Sequence, residues 1–268
     1  MLSNKYLMEN EEESVRLEKK TNIKALEQQA IWAGVRPGMS IADLGCGPGI
    51  TSYILHRLAS STGTTLGVDF SDERISYAKA KYEKKNLSFI CRDIRESLDD
   101  LGLFDFVLVR FVLEYYLKES FEIVKNIINI VKPGGILCLA DLDYNCLTHF
   151  GIPDKLNNTV NSLMLELQKQ ANFDPFVGRK LYSYLFDLKF ANIAVNIEAH
   201  HNIYGELSES DRFNWIKKVE VAPNKINYNF EEYGGNKELF LNDFKESFSK
   251  PRRFTYTPLI ICKGVKTS

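Results

Sequence analysis

A glycine-rich segment at residues 43–49, Asp-Leu-Gly-Cys-Gly-Pro-Gly, is the part of the sequence best suited to holding a ligand. It lies between an apolar run that predicts a strand and residues 50–58, which predict a helix. Glycines let the backbone turn sharply and approach a ligand, and the N–H groups at a helix start attract an anion. An amino acid suits such a site, because its carboxylate would meet the N–H groups and its ammonium would meet Asp43.

Two other interpretations of this loop stay open. A tight strand-to-helix turn that binds nothing has similar glycines. A nicotinamide-binding loop places its third glycine three residues after the second, so that a pyrophosphate can rest on the helix start. Ile50 occupies that position here, and the third glycine comes earlier, at Gly49. The spacing therefore disfavours a dinucleotide.

The elements that would position the loop follow the rhythm of βαβ units. Short β-branched runs alternate with helical patterns, which favours an α/β fold with a parallel sheet. A segment at 203–251, rich in asparagine and aromatic residues, interrupts this rhythm before a last strand. The predicted strands are 39–44, 64–69, 87–92, 104–109, 136–142, 193–199 and 256–265.

The strand ends, taken in order, resemble the motifs of class I S-adenosylmethionine-dependent methyltransferases. The loop after the first strand is similar to motif I, and the resemblance assigns Asp43, Gly45, Cys46 and Gly47 to the cofactor. Related segments follow at each strand end through residue 142. The resemblance implies a Rossmann-like fold with a seven-stranded, mostly parallel sheet, helices on both faces and a helical cap insertion.

Two further strand ends carry cofactor contacts that the resemblance implies. Asp69 matches the acidic residue that accepts both ribose hydroxyls, and Phe70 would lie against the adenine. Asp93 would lie near the adenine amino group, with the backbone of Ile94 beside the ring. An ordinary core aromatic at Phe70 and a helix-capping Asp93 are the alternatives.

The strand-four end and the amino terminus complete the predicted cofactor site. The segment from residue 104 to 115 resembles motif IV, in which Arg110 and Phe111 would contact the methionine portion mainly through backbone. The first residues are similar to the lid helix of several small-molecule members, where an aromatic and an arginine close over the cofactor. Tyr6 and Arg16 would play these parts, and a solvated charged helix is the alternative.

Catalysis by such a protein consists mainly of aligning the acceptor with an already activated methyl group and excluding water. A carboxylate or imidazole helps when the nucleophile is a hydroxyl or an acidic carbon. Polar residues beyond strands four to six lie at the ligand-binding edge of an open sheet, or simply face water. The candidates are Glu114, Asp141, Tyr144, His200 and His201, and the three that we shortlist as catalytic are Tyr115, Asp143 and His149.

The composition of the chain limits which binding partners and which location we predict for it. The 268 residues carry a net charge of -1, which disfavours nucleic acid, and no apolar run is long enough to predict a membrane span. Five cysteines without a C-x-x-C pair and an acidic, apolar-poor amino terminus predict a reducing cytoplasm and no leader peptide. Residues 141–145 lack the adjacent Asp-Asn pair of metal-dependent O-methyltransferases, so we predict no metal.

The sequence thus predicts a methyltransferase that uses S-adenosylmethionine to methylate a small molecule. Its predicted parts are an amino-terminal lid at 1–36, a cofactor-binding core at 37–202, a cap at 203–251 and a final core strand at 252–268. A non-catalytic cofactor-binding module and a methyltransferase acting on protein are the alternatives. The acceptor itself has no recognisable motif.

Overall fold

Eight strands form one sheet in the computed structural model, which describes residues 17–18 and 21–267. All seven predicted strands are present, and β6, only two residues long, is an eighth that the sequence did not predict. The strands are β1 (Ser40–Leu44), β2 (Thr64–Asp69), β3 (Leu87–Cys91), β4 (Phe104–Arg110), β5 (Val131–Leu142), β6 (His149–Phe150), β7 (Ala191–Ile203) and β8 (Phe254–Val265).

The sheet has the order β3-β2-β1-β4-β5-β8, and β7 pairs with the other side of β8. Strands β1 to β5 run parallel, whereas β8 is antiparallel to both β5 and β7. The first residues of β8 extend beyond β5, and β6 pairs with them at Thr255 and Phe254. The carboxyl ends of the parallel strands therefore meet at one edge, as the predicted fold class requires.

Eight α-helices are found in the described part of the chain, and 3-10 turns connect several of them. Ser71 caps one of these helices, because its hydroxyl accepts a hydrogen bond from the backbone N–H of Arg74. The helices are α1 (Ile23–Ala33), α2 (Ile50–Ala59), α3 (Asp72–Tyr82), α4 (Ser120–Ile127), α5 (Asp154–Gln170), α6 (Leu181–Asp187), α7 (Glu209–Val221) and α8 (Lys237–Ser249).

Alternation along the central strands builds a core on each face of the sheet. In β4, Val107 and Val109 pack with α4 and α6, while Phe106 and Leu108 pack with α1 and α2. Successive side chains of a strand point to opposite faces, so the part of β4 that is covered on both sides, residues 106–109, is apolar at every position. The next residue on the α1 side is Arg110, which ends the strand.

The start of β5 differs from the sequence prediction. The sequence predicts that the strand begins at Ile136, directly after a proline-glycine-glycine turn at residues 133–135. Val131 already pairs with Phe104, and the pairing resumes at Ile136 with Phe106 after an irregular stretch. The turn is thus an irregularity inside the strand, because residues on both sides of it find partners in β4.

A third hydrophobic cluster lies beside the sheet and is built from the segment 203–251 and α5. Trp215, Phe240 and Phe244 are its most deeply buried aromatic residues. Leu156 and Val160 of α5 join the same cluster, so that α5 packs against α8. Within the residues that the structure describes, no helix combines the length and apolarity needed to cross a membrane.

Candidate functional site

The glycine loop turns at the carboxyl end of β1. The backbone N–H groups of Gly45 and Cys46 both donate to the carbonyl of Val68, at 2.7 and 3.0 Å. Gly45 has φ 76°, and a Cβ atom added to it would lie 2.2 Å from Cγ2 of Val112. Glycine is therefore required at this position by both backbone conformation and space.

A cavity of about 430 Å³ opens above this loop. Its volume lies in the range of small-molecule sites. The lining residues from the glycine loop, the start of α2 and the segments after β2 and β3 form what we name the loop wall: Gly45, Cys46, Gly47, Ile50, Asp69, Phe70 and Ile94. The lining residues from the turn after β4, the end of α5, β7 and the turn after α7 form what we name the cap wall: Glu114, Tyr115, Gln170, Asn172, His200 and Lys225. Arg110 and Phe111, at the end of β4, also line the cavity.

Asp69 connects the loop to the helix that follows β2. Its Oδ2 accepts the N–H of Gly47 at 2.9 Å, and its Oδ1 accepts the N–H of Ser71 at 3.0 Å. Arg74 donates to Oδ1 from Nε and Nη2, at 3.1 and 3.0 Å, and this ion pair is buried. The carboxylate is thus held at the loop wall, and Oδ2 has an acceptor position left for a ligand hydroxyl.

The other loop-wall predictions fall into two groups. Phe70 and Ile94 line the cavity, and the guanidinium carbon of Arg74 lies 5.1 Å from the Phe70 ring centroid. Asp93 does not line it, because its carboxylate binds the guanidinium of Arg95 in a fork at the neighbouring surface. This ion pair lowers the pKa of Asp93. The side chain of Asp93 therefore stabilises the loop after β3.

Asp43 is buried behind the loop rather than in the cavity wall. Its Oδ2 accepts the hydroxyl of Ser52 in α2 at 2.6 Å. Burial raises the pKa of Asp43 to about 7, although Ser52 and the positive charge of Arg110 oppose the shift. The carboxyl group ties β1 to α2 and contributes to the electrostatics below the cavity. Tyr6 and Arg16, the predicted lid contacts, lie outside the described residues.

Glu114 and Tyr115 reach the cap wall from a 3-10 turn, Leu113–Tyr115, that follows β4. The ring of Tyr115 packs 5.8 Å from that of Phe173. Glu114 is buried and accepts a hydrogen bond from Nδ2 of Asn145 at 2.7 Å. Tyr115 is the one member of the catalytic shortlist that the structure brings to the cavity.

Asp141, at the end of β5, lies behind Glu114. Its Oδ2 accepts the N–H groups of Val112 and Glu114, and its Oδ1 accepts that of Leu142. Burial and the negative charge of Glu114 raise the pKa of Asp141 well above its usual range. The two buried carboxyl groups thus fix the turn after β4, which carries Tyr115 to the cavity.

Asp143 and His149 are not brought to the cavity. The carboxylate of Asp143 accepts two hydrogen bonds from Arg179, at 2.9 and 3.0 Å. His149 lies in β6, where Nδ1 is 2.8 Å from the hydroxyl of Thr255 and Nε2 is 3.0 Å from the carbonyl of Cys146. Both side chains have their polar atoms bonded to neighbouring elements, so they hold the segment after β5 in place.

The environment of His149 predicts a specific dependence of stability on pH. Burial lowers its pKa from 6.5 to about 4, so the folded protein keeps the ring neutral where the unfolded chain would protonate it. The stabilisation is complete above pH 6.5 and is lost as the pH falls towards 4. A shift of this size corresponds to up to about 3 kcal/mol. We expect His149→Gln to remove this part of the slope, measured by urea unfolding between pH 8 and pH 4.5. Equal slopes for the two proteins would contradict the prediction.

The sequence did not predict several of the residues that line the cavity. His200 was only a candidate, yet it lines the cavity and its ring lies 4.8 Å from that of Phe111. Lys225, Asn172 and Arg74 were not considered at all. Lys225 and Asn172 lie outside the strand-end motifs, and no local pattern marks them. Arg74 lies about one helical turn after the capping residue Ser71, and this spacing was the signal that could have placed its side chain near Asp69.

Comparisons with known proteins agree with this geometry. The fold and the loop define the class I methyltransferase architecture, and a family described as "Methyltransferase domain" matches residues 36–189. The chain belongs to this family of methyltransferase domains. A demethylmenaquinone methyltransferase of Staphylococcus aureus (strain MRSA252) is 30% identical over 135 residues, covering 47% of this chain and 56% of that protein. One of Lactococcus lactis is 32% identical over 106 residues, covering 38% and 42%.

The chain therefore spans about half the length of the curated relatives that it matches. Among solved structures, a cyclopropane-fatty-acyl-phospholipid synthase-like protein of Lactobacillus casei has a TM-score of 0.61 at 14% identity, covering 96% of this chain and 94% of that one. Coclaurine N-methyltransferase, bound to N-methylheliamine and SAH, has a TM-score of 0.53 at 16% identity, covering 90% and 72%. At these identities the likeness shows the fold.

Proposed function

We propose that this protein transfers the methyl group of S-adenosylmethionine to a small-molecule acceptor. The observation that carries the proposal is one continuous cavity between the loop wall and the cap wall. A cofactor on one side and an acceptor on the other would meet inside it. Methyl transfer requires this arrangement, because the nucleophile must approach the methyl group in line and without water.

The loop wall fits S-adenosylmethionine by its donor set and its shape. Asp69 would hold the ribose, and Phe70 and Ile94 would flank the adenine. Among the described residues, the neighbour of a Cβ added to Gly47 would be Leu17, at 3.7 Å, so glycine keeps the floor of the cavity free of a side chain. When bound, the cofactor supplies a methyl group on a sulfonium, which is already an activated electrophile.

The residues of the cap wall would orient the acceptor and receive its proton. Tyr115 offers a flat aromatic face and a hydroxyl, and its packing against Phe173 fixes the ring. Glu114 provides a carboxylate and His200 an imidazole among the residues of the cap wall. Either group would accept a proton if the acceptor is a hydroxyl or an acidic carbon.

A small acceptor suits the volume of the site, about 430 Å³. The cavity is bounded by α5 and by the 3-10 turn Ala222–Lys225, which follows α7. The net charge of -1 offers no field that would gather a polyanion. All five cysteines are free, which supports our proposal of a reducing, cytoplasmic location. The two demethylmenaquinone methyltransferases give a precedent for a small-molecule acceptor among relatives of this chain.

Calorimetric titration tests the proposal directly. We expect S-adenosylmethionine and S-adenosylhomocysteine to bind with one-to-one stoichiometry and NADH to give no heat of binding. The physical reason is the loop spacing, which leaves no glycine for a pyrophosphate at Ile50. Binding of NADH without any response to the two adenosyl ligands would refute the proposal.

A further inference from the structure

Arg110 is the last residue of β4 and directly follows the apolar run 106–109. It follows Phe106 and Leu108 on the α1 side of β4, and both of those side chains are buried in the core. Arg110 is partly buried and lines the cavity. An arginine in this place needs a partner, because burying a charge without one is costly.

The guanidinium of Arg110 has no such partner in the described chain. No hydrogen bond or ion pair joins it to a residue that the structure describes, and its shielded Nε is without an acceptor there. Its close contact is the ring of Phe111, whose centroid lies 4.1 Å from the guanidinium carbon. Two other arginines that line the cavity, among the residues that the structure describes, differ, since Arg74 is paired with Asp69 and Arg92 with Asp100.

The acidic groups around Arg110 are bonded elsewhere. Asp43 accepts the hydroxyl of Ser52, and Asp141 accepts three backbone N–H groups. Glu198 in β7 accepts hydrogen bonds from Gln29 and Asn196, both at 2.7 Å. These carboxyl groups attract the guanidinium only through space, and burial lowers its pKa to about 10. Arg110 is therefore still protonated at neutral pH.

We propose that the side chain of Arg110 binds a carboxylate of a ligand in this cavity. A guanidinium presents two parallel N–H donors that match a carboxylate, and such charge-assisted pairs are strong when water is excluded. The Phe111 ring stacks on the guanidinium and limits its orientations. The inference rests on the proposed function and adds to it, because the motif resemblance implied only a backbone contact at this residue.

The carboxylate has two possible sources, the methionine end of the cofactor or the acceptor. Calorimetry on wild type and Arg110→Gln separates them with S-adenosylhomocysteine, with 5′-methylthioadenosine, which lacks the amino-acid end, and with benzoate as a probe of the acceptor side. If the cofactor supplies the carboxylate, we expect Arg110→Gln to weaken the binding of S-adenosylhomocysteine about tenfold or more. The affinity for 5′-methylthioadenosine should then stay within about twofold of the wild-type value. If the acceptor supplies it, only benzoate binding is lost.

Arg92→Gln is the matched control, since it removes an arginine of the same cavity whose guanidinium is already paired. We expect it to leave the ratio of the two adenosyl affinities unchanged, and we expect Arg110→Lys to restore part of the lost affinity. Unchanged binding of all three ligands to Arg110→Gln would overturn the inference, and so would an equal loss for both adenosyl ligands. Failure of the wild type to bind either adenosyl ligand would instead refute the proposed function, and the benzoate comparison would still decide the role of Arg110.

Discussion

Replacing Asp69 by alanine is expected to weaken the binding of S-adenosylmethionine by at least about 2 kcal/mol, or roughly thirtyfold. The carboxylate lies at the loop wall and would accept the ribose hydroxyls through charge-assisted hydrogen bonds. It also holds the N–H of Gly47 at 2.9 Å, so its removal loosens the loop itself. Calorimetric titration of both proteins with the cofactor measures the effect.

The control for this change must separate binding from folding, because Asp69 also forms a buried ion pair with Arg74. Breaking such a pair by removing one partner costs about 3 kcal/mol or more of stability. Asp69→Asn keeps the shape and an acceptor oxygen, and we expect an intermediate affinity. Thermal unfolding of each variant shows whether the protein is folded at the titration temperature. A folded Asp69→Ala variant with wild-type affinity would show that the motif alignment is wrong.

Trp215→Ala is expected to lower the free energy of unfolding by about 3–5 kcal/mol. The side chain is 1% exposed, and its ring lies 5.2 Å from that of Phe248 and 5.1 Å from that of His149. Alanine would leave a large cavity at the point where α7 meets β6. Urea unfolding at pH 8 measures the loss, because His149 is neutral there in both the folded and the unfolded chain.

Trp215→Phe is the matched control for the loss of the indole. The indole N–H has no hydrogen-bond partner in the part of the chain that the structure describes, so removing it breaks no bond there. Phenylalanine keeps an aromatic ring and loses only part of the volume, and we expect a cost below about 1.5 kcal/mol. Similar costs for alanine and phenylalanine would mean that the cluster around Trp215 adjusts freely and does not unfold together with the sheet.

The sequence by itself determined the central sheet and the loop wall. Strands β1 to β5 follow one another along the chain, and the backbone at the ends of β1 and β2 places Gly45 and Asp69 at the loop wall. Gly45 turns there because of its own conformational freedom, and Asp69 comes directly at the strand end where the loop needs an acceptor. Such features can be predicted from sequence, because the alternation of side chains along a strand and the position of a residue at its carboxyl end determine which edge of the sheet the residue reaches.

The direction in which a side chain points after a strand end could not be predicted from the sequence. Asp143 and His149 follow β5 closely, and proximity to that strand end made them candidates. The salt bridge of Asp143 to Arg179 and the pairing of β6 with β8 draw them away from the cavity. The partners lie 36 and 106 residues further along the chain. Contacts across such distances depend on packing that no local pattern encodes.

The tertiary structure alone decided what faces the glycine loop. Lys225 belongs to the segment that packs with α5, and only that packing brings it to the same cavity as Gly45. Arg110 could be placed at a strand end from the sequence. Its lack of a partner within the described chain became visible only when Asp43, Asp141 and Glu198 were found bonded to other groups. Whether a buried charge has a partner depends on every element packed around it, whereas the turn at Gly45 depends on the backbone of the glycine itself.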